Sequence, residues 1–203
     1  MELENLGWNI LTLSSIATLI FTLWQACGLW SQNKLIWSNK SGQSVSILKF
    51  SSTPAFFLLN GVYGYFIGSI IMPITSVLLT AMHVPILVGL YKFKGFSRIE
   101  KLLIPIFFLM TPVLVLIPAK TGFFMALAFL RMIPFAMQPL EIYKEKNVSV
   151  LDIKLFLAYL VGAFFWVTFY FAFGNLPLKI ISSMNTLILV SIVFLYFKYR
   201  DNI

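Results

Sequence analysis

Five residues combine hydrogen-bonding, ionic or flat aromatic side chains with positions deep inside long apolar stretches: Asn60, His83, Arg131, Trp166 and Asn185. Asn60 stands eleven positions past Lys49 and His83 nine before Lys92; Arg131 is eleven past Lys120 and ten before Glu141, Trp166 twelve past Lys154, and Asn185 thirteen before Lys198. At about 1.5 Å of helical rise per residue, each lies roughly 14–20 Å from its flanking charge, the middle of a hydrocarbon layer about 30 Å thick. Asn offers a donor and an acceptor to hydroxyl groups, His can serve as either, and Trp presents a flat apolar face to a ring. Arg131 has no carboxylate at its depth, because all seven acidic residues (Glu2, Glu4, Glu100, Glu141, Glu145, Asp152 and Asp201) fall at termini or connections. A lone guanidinium there faces a wet cavity, backbone carbonyls or an anionic ligand. Plainer uses stand beside these: a mid-span Asn also serves as a bond between helices, and a Trp as packing.

Bond-making chemistry finds little support. With one His and one Cys, the chain can build neither a metal cluster nor a disulfide framework, and no second His or acid sits at depth to complete a triad. The expectation is a protein that is not an enzyme and needs no metal or cofactor. The partners expected are a small-molecule substrate and the lipid bilayer, with a homo-oligomer left open.

Of the 203 residues, 60% are hydrophobic and 11% charged, with a mean hydropathy of +0.91; a soluble domain is about 45–50% apolar and about 25% charged. Apolar stretches cover 8–30, 50–70, 71–93, 102–119, 122–140, 155–173 and 176–197. Seven spans of about 20 residues leave no room for an extramembrane domain. The second and third spans adjoin, with Gly68, Ser69 and Pro73 as punctuation. The start, Met-Glu-Leu-Glu-Asn, lacks the basic region and small-residue cleavage pattern of a signal peptide, so the first span is expected to stay as a helix.

An outside N-terminus puts Lys34, Lys40, Lys49, Lys92, Lys94, Arg98, Lys101, Lys144, Lys146, Lys154, Lys198 and Arg200 on the inner side, against Lys120 and Lys179 outside. That bias sets an orientation with the C-terminus cytoplasmic, and it absorbs the net charge of +8 without invoking nucleic acid. The sequons at Asn39 and Asn147 fall on the inner side, and the short termini favour a bacterial inner membrane over an organelle membrane.

The two halves align. Residues 30–41 match 136–147, with Gln32 over Gln138 and Lys40 over Lys146; each is followed by a Ser/Val patch, and allowing a gap, Asn60 falls over Trp166 and His83 over Asn185. The expectation is an all-α membrane protein of seven transmembrane helices. Two parallel three-helix bundles, residues 1–97 and 121–203, are joined by a linker helix over 98–120. A three-helix unit reverses side, so a parallel repeat needs that linker.

These residues resemble the PQ-loop superfamily, which includes the SWEET sugar transporters, cystinosin-like exporters and KDEL receptors. Its mark is a Pro-Gln pair at the ends of the first and fifth helices, followed by Lys-Ser. Here Ser31-Gln32 and Met137-Gln138-Pro139 stand at those places, with Lys40-Ser41 at the family's distance. The resemblance implies a pocket between the bundles, with Asn60, His83, Trp166 and Asn185 as lining residues, and a hinge role for the two Gln motifs. It also implies transport of a small polar solute, a sugar first or an amino acid or carboxylate. The route is alternating access and facilitative, because no intramembrane acid is present to carry a proton. Two alternatives stay open: a receptor or trafficking protein of the same architecture that holds a carboxylate-bearing ligand on Arg131, and a proton-coupled exporter using His83. Pro85, two positions past His83, is a candidate bend.

Overall fold

The structure, a computed structural model, describes residues 7–200; the acidic start, Met1 to Asn5, lies outside them. Among the described residues there are seven helices and no strands: α1 (Ile10–Asn39), α2 (Ile47–Phe66), α3 (Ile71–Phe93), α4 (Arg98–Leu116), α5 (Lys120–Glu145), α6 (Ile153–Phe173) and α7 (Leu176–Tyr199). Six are long and apolar enough to cross a membrane, and α2 is the exception. Its polar side chains explain why: Lys49, Ser51, Ser52, Thr53 and Asn60 are all buried against protein, so α2 needs less lipid-compatible surface than helices that face the bilayer.

Local signals set the ends. Ser97 opens α4 with a capping box: its hydroxyl accepts from the Glu100 N–H (3.2 Å), and its own N–H donates to the Glu100 carboxylate (2.7 Å). The helix therefore begins at Arg98, four residues before the apolar stretch. Asp152 caps α6 and Asn175 caps α7. Between α2 and α3 the chain turns at Gly68, whose φ of +77° suits a residue without a Cβ.

Two helices run well past the expected spans. α1 continues to Asn39 and α5 to Glu145, so Gln32 and Gln138, expected at the inner ends of the helices, lie inside them, seven residues before each end. Hydropathy marks where the membrane stops, whereas the helix stops where the backbone changes hand. That happens at Lys40 (φ 47°) and Lys146 (φ 48°), two lysines in left-handed conformation.

The matching ends expose an internal repeat with a constant period. Gln32 and Gln138, Lys40 and Lys146, the helix-capping Ser46 and Asp152, and the left-handed turn residues Gly68 and Gly174 each stand 106 positions apart. Packing follows the same rule. α3 lies against both α1 and α2, α7 lies against both α5 and α6, and the halves meet where α1 packs on α6 and α2 on α5. α4 leans on α2 and, more lightly, on α5. This gap-free register corrects the pairing of His83 with Asn185. His83 corresponds to Leu189, and Asn185 to Leu79.

Small residues let the helices meet. A Cβ on Gly28 would lie 2.8 Å from the Leu155 Cα, so the α1–α6 junction requires that glycine, whereas one on Gly162 would meet the movable end of the Gln25 side chain. Apolar burial falls into two clusters. One, near the Gln32/Gln138 end, includes Leu29, Phe50, Leu79, Phe135 and Phe156; the other, towards the opposite end, includes Leu59, Tyr63, Met72, Phe124 and Leu178.

Candidate functional site

Gln32 and Gln138 tie the two halves together by the same bonds applied reciprocally. The Gln32 side-chain amide donates to the Val150 carbonyl (2.8 Å) and accepts from the Asp152 N–H (2.9 Å). The Gln138 amide donates to the Ser44 carbonyl (2.8 Å) and accepts from the Ser46 N–H (3.0 Å). Each glutamine thus satisfies one donor and one acceptor of the connection belonging to the other half, and both amides are fully buried. Ser44 bridges the two connections through the Asn147 carbonyl. Lys94 adds a bond to the Val45 carbonyl (2.9 Å) and an ion pair with Glu141 (3.8 Å). Ser31, Met137 and Pro139 flank these glutamines half-buried. Pro139, like Pro134 one turn earlier, removes an intrahelical donor from α5.

At the opposite end one side chain plays a comparable part. Tyr63 of α2 stacks on Phe124 of α5 with centroids 4.1 Å apart and planes 7° from parallel. Its hydroxyl accepts from the Asn175 amide (3.2 Å) and bonds the Thr121 hydroxyl (3.4 Å).

Between these closures lies a cavity of about 100 Å³, room for several waters or a small solute. Four of the five sequence candidates, Asn60, Arg131, Trp166 and Asn185, line it. Asn60 faces the Tyr170 hydroxyl, Trp166 packs edge-on to Phe169 and tilted on Tyr170, and the Asn185 carbonyl oxygen has no hydrogen-bond partner. His83 is not on the wall. It is fully buried, with Nδ1 2.7 Å from the Leu79 carbonyl and Nε2 3.3 Å from the Tyr159 hydroxyl, and Tyr159 is the residue that reaches the cavity.

The repeat organises the lining. Gln25 and Arg131, Thr53 and Tyr159, Asn60 and Trp166, Ser76 and Ser182, and Leu79 and Asn185 are all cavity residues 106 positions apart. Gln25 is a functional candidate that the count from flanking charges does not reach. Its signal was available, because it occupies the place in α1 that Arg131 holds in α5. The junctions match too: Gln25 abuts Gly162 across α1–α6, and the Arg131 guanidinium lies 4.2 Å from the ring centre of Phe56 across α2–α5, Phe56 being the repeat mate of Gly162.

Lys49 departs most from expectation. Counted as a headgroup anchor on the inner side, it is instead fully buried in the first turn of α2. Its ammonium sits 3.8, 4.8 and 5.1 Å from the rings of Phe50, Phe156 and Tyr159, with no hydrogen-bond partner. α2 enters the protein with that residue on its packed face, and the aromatic rings of α2 and α6 supply the cation–π attraction that makes a buried ammonium tolerable.

No protein-family model and no curated protein matches the chain. Among solved structures it resembles that of a eukaryotic SWEET transporter determined at 3.7 Å resolution, with a TM-score of 0.57 over 94% of this chain and 100% of that chain. At 13% identity the likeness establishes the fold: the chain is a seven-helix membrane protein with the SWEET architecture.

Proposed function

We propose that the chain moves a small polar solute across the membrane by alternating access, with the cavity between the halves as the binding site and a place in the PQ-loop superfamily. The observation that carries this reading is the position of the cavity. It lies where α1–α3 and α5–α7 face each other, between one closure made by the glutamine clamps and another made by Tyr63. A site with separable closures at both ends, built from two copies of one unit, is what rocking about a central axis requires. The polar lining suits a hydroxylated solute: the Ser76 hydroxyl and the Asn185 carbonyl are buried and unpartnered, and Trp166 offers a ring face. Sugar-like solutes are the first class to test.

Among the described residues no carboxylate lines the cavity, and His83 reaches it only through Tyr159. Facilitated diffusion therefore fits better than proton coupling. The moving units are residues 1–97 and 121–203, with α4 as the tether, in a bacterial inner membrane with the C-terminus cytoplasmic. The test is uptake of radiolabelled glucose and of small carboxylates by proteoliposomes holding the full chain. Saturable uptake of any of these, lost in Asn185→Ala, supports the reading, and ligand binding without flux of any refutes it. Arg131 favours a second reading, a receptor of the same architecture holding a carboxylate, which the same absence of flux would select.

A further inference from the structure

The repeat supplies an internal control for charge. The two junctions between the halves occupy equivalent places in the repeat, yet buried cations stand on the helices of only one. Lys49 on α2 and Arg131 on α5 have as their mates Leu155 on α6 and Gln25 on α1. The uncharged junction packs closely through Gly28 and Gly162, whose places in the other junction are taken by Pro134 and Phe56. Placing a cation in a low-dielectric span without a counter-ion costs free energy. Here that cost is incurred twice, on the same side of the pseudo-two-fold axis.

Among the described residues no carboxylate pairs with either cation. The Arg131 Nε has no hydrogen-bond partner. The Lys49 ammonium is likewise unpartnered. The two share one ring: the Arg131 guanidinium carbon lies 4.9 Å from the centre of Phe135, and the Lys49 nitrogen 5.9 Å from it. Phe135 and Tyr159 line the cavity on the side where Arg131 is exposed to it, and Lys49 lies behind them, in the first turn of α2 and so towards the glutamine clamps. The order along this lane is cavity with Arg131, then an aromatic partition of Phe135 and Tyr159, then Lys49.

Building on the transport reading, we infer that the solute is a small carboxylate, held by Arg131 in the cavity and passed to Lys49 when the clamp end opens and the Phe135–Tyr159 partition parts. Arg131 supplies the planar, bidentate donor that a carboxylate matches. Lys49 is a compact charge on a flexible stem, suited to receiving an anion and releasing it. The unpartnered Ser76 hydroxyl and Asn185 carbonyl would take the hydroxyl of a 2-hydroxy acid beside the carboxylate.

The probes are lactate and glucose, both radiolabelled, with the full-length chain in proteoliposomes for flux and in detergent for binding. Wild type is expected to bind and carry lactate in preference to glucose, and Arg131→Gln to lose lactate binding by about tenfold or more. Lys49→Met, close in volume and uncharged, should keep lactate affinity within about threefold, since Lys49 does not line the cavity, and lower lactate flux about tenfold. Lys49→Arg should restore most of the flux, which separates a need for charge from a need for packing. Glucose flux without lactate flux overturns the anion assignment and leaves transport standing. Lactate flux that Lys49→Met does not slow overturns the role of Lys49. Lactate binding without flux of either probe sinks the transport reading and the hand-off with it.

Discussion

Replacing Gln138 with Ala removes two hydrogen bonds, of 2.8 and 3.0 Å, that reach from α5 to the Ser44 carbonyl and the Ser46 N–H. In the closed arrangement those backbone groups are left buried, whereas once the clamp end opens, water satisfies them. At about 0.5–1.5 kcal/mol per neutral bond, the closed state loses about 1–3 kcal/mol relative to the open one, a shift of about 5–150-fold in the equilibrium between them. The exposed Cys27 is first replaced by Ser, and a reporter thiol is introduced by Thr53→Cys on the cavity wall. Its labelling rate by a membrane-impermeant maleimide applied from the clamp side reads the open population. The rate should rise by that factor in Gln138→Ala. Because Gln32 makes the same pair of bonds to Val150 and Asp152, Gln32→Ala should raise it equally, and the double variant by roughly the product, as separate contacts add. An unchanged labelling rate in variants whose melting temperature falls would make the clamps static ties and refute the gating argument. A large effect from one glutamine alone would refute the equivalence of the two halves.

Three further outcomes are expected. Tyr63→Phe keeps the stack on Phe124 but loses the hydroxyl bonds to Thr121 and Asn175; at about 1 kcal/mol, it should speed labelling of the same thiol from the opposite side about fivefold, and a change on the clamp side instead would contradict the assignment of the closures. Gly28→Ala sets a methyl 2.8 Å from the Leu155 Cα and should cost about 1–3 kcal/mol, seen as a lower melting temperature in detergent, whereas Gly162→Ala meets only the movable end of Gln25 and should cost less; equal losses would mean that the strain lies elsewhere. Ser97→Ala breaks the capping box at the start of α4 and should cost about 1 kcal/mol of stability with lactate and glucose flux unchanged, since α4 lends the cavity no residue.

The sequence carried the helices and their order because each helix that faces lipid must be apolar, and of the wall it carried Asn60, Arg131, Trp166 and Asn185, while smaller polar residues such as Thr53, Ser76 and Ser182 were not distinguished from ordinary span residues. It misplaced what hydropathy does not measure. Helices α1 and α5 run beyond their apolar stretches, so hydropathy ends them early and puts Gln32 and Gln138 at helix ends. The capping pattern at Ser97 to Glu100 was readable, yet a window tuned to apolar runs passed over it. Lys49 was assigned to the headgroups because position along the chain gives a residue's depth but not the face of the helix it occupies; only the packing of Phe50, Phe156 and Tyr159 around its ammonium reveals a buried charge. His83 shows the same limit from the other side. It is at the depth expected but turned away from the cavity, bonded to Leu79 and Tyr159.

The repeat is what converts these particulars into an argument about function. Once the period is fixed at 106 by residues with special backbone conformations, every position acquires a mate, and the differences between mates become informative. Most cavity pairs differ in size or polarity as any two lining residues may. Two pairs set a cation away from the surface against an uncharged mate, Lys49 against Leu155 and Arg131 against Gln25, and both cations come from α2 and α5. The α1–α6 junction meets through Gly28 and Gly162, whereas their mates are Pro134 and Phe56, the ring on which Arg131 packs. On the transport reading proposed above, the negative charge of a solute would complete this one-sided pair of unpaired cations.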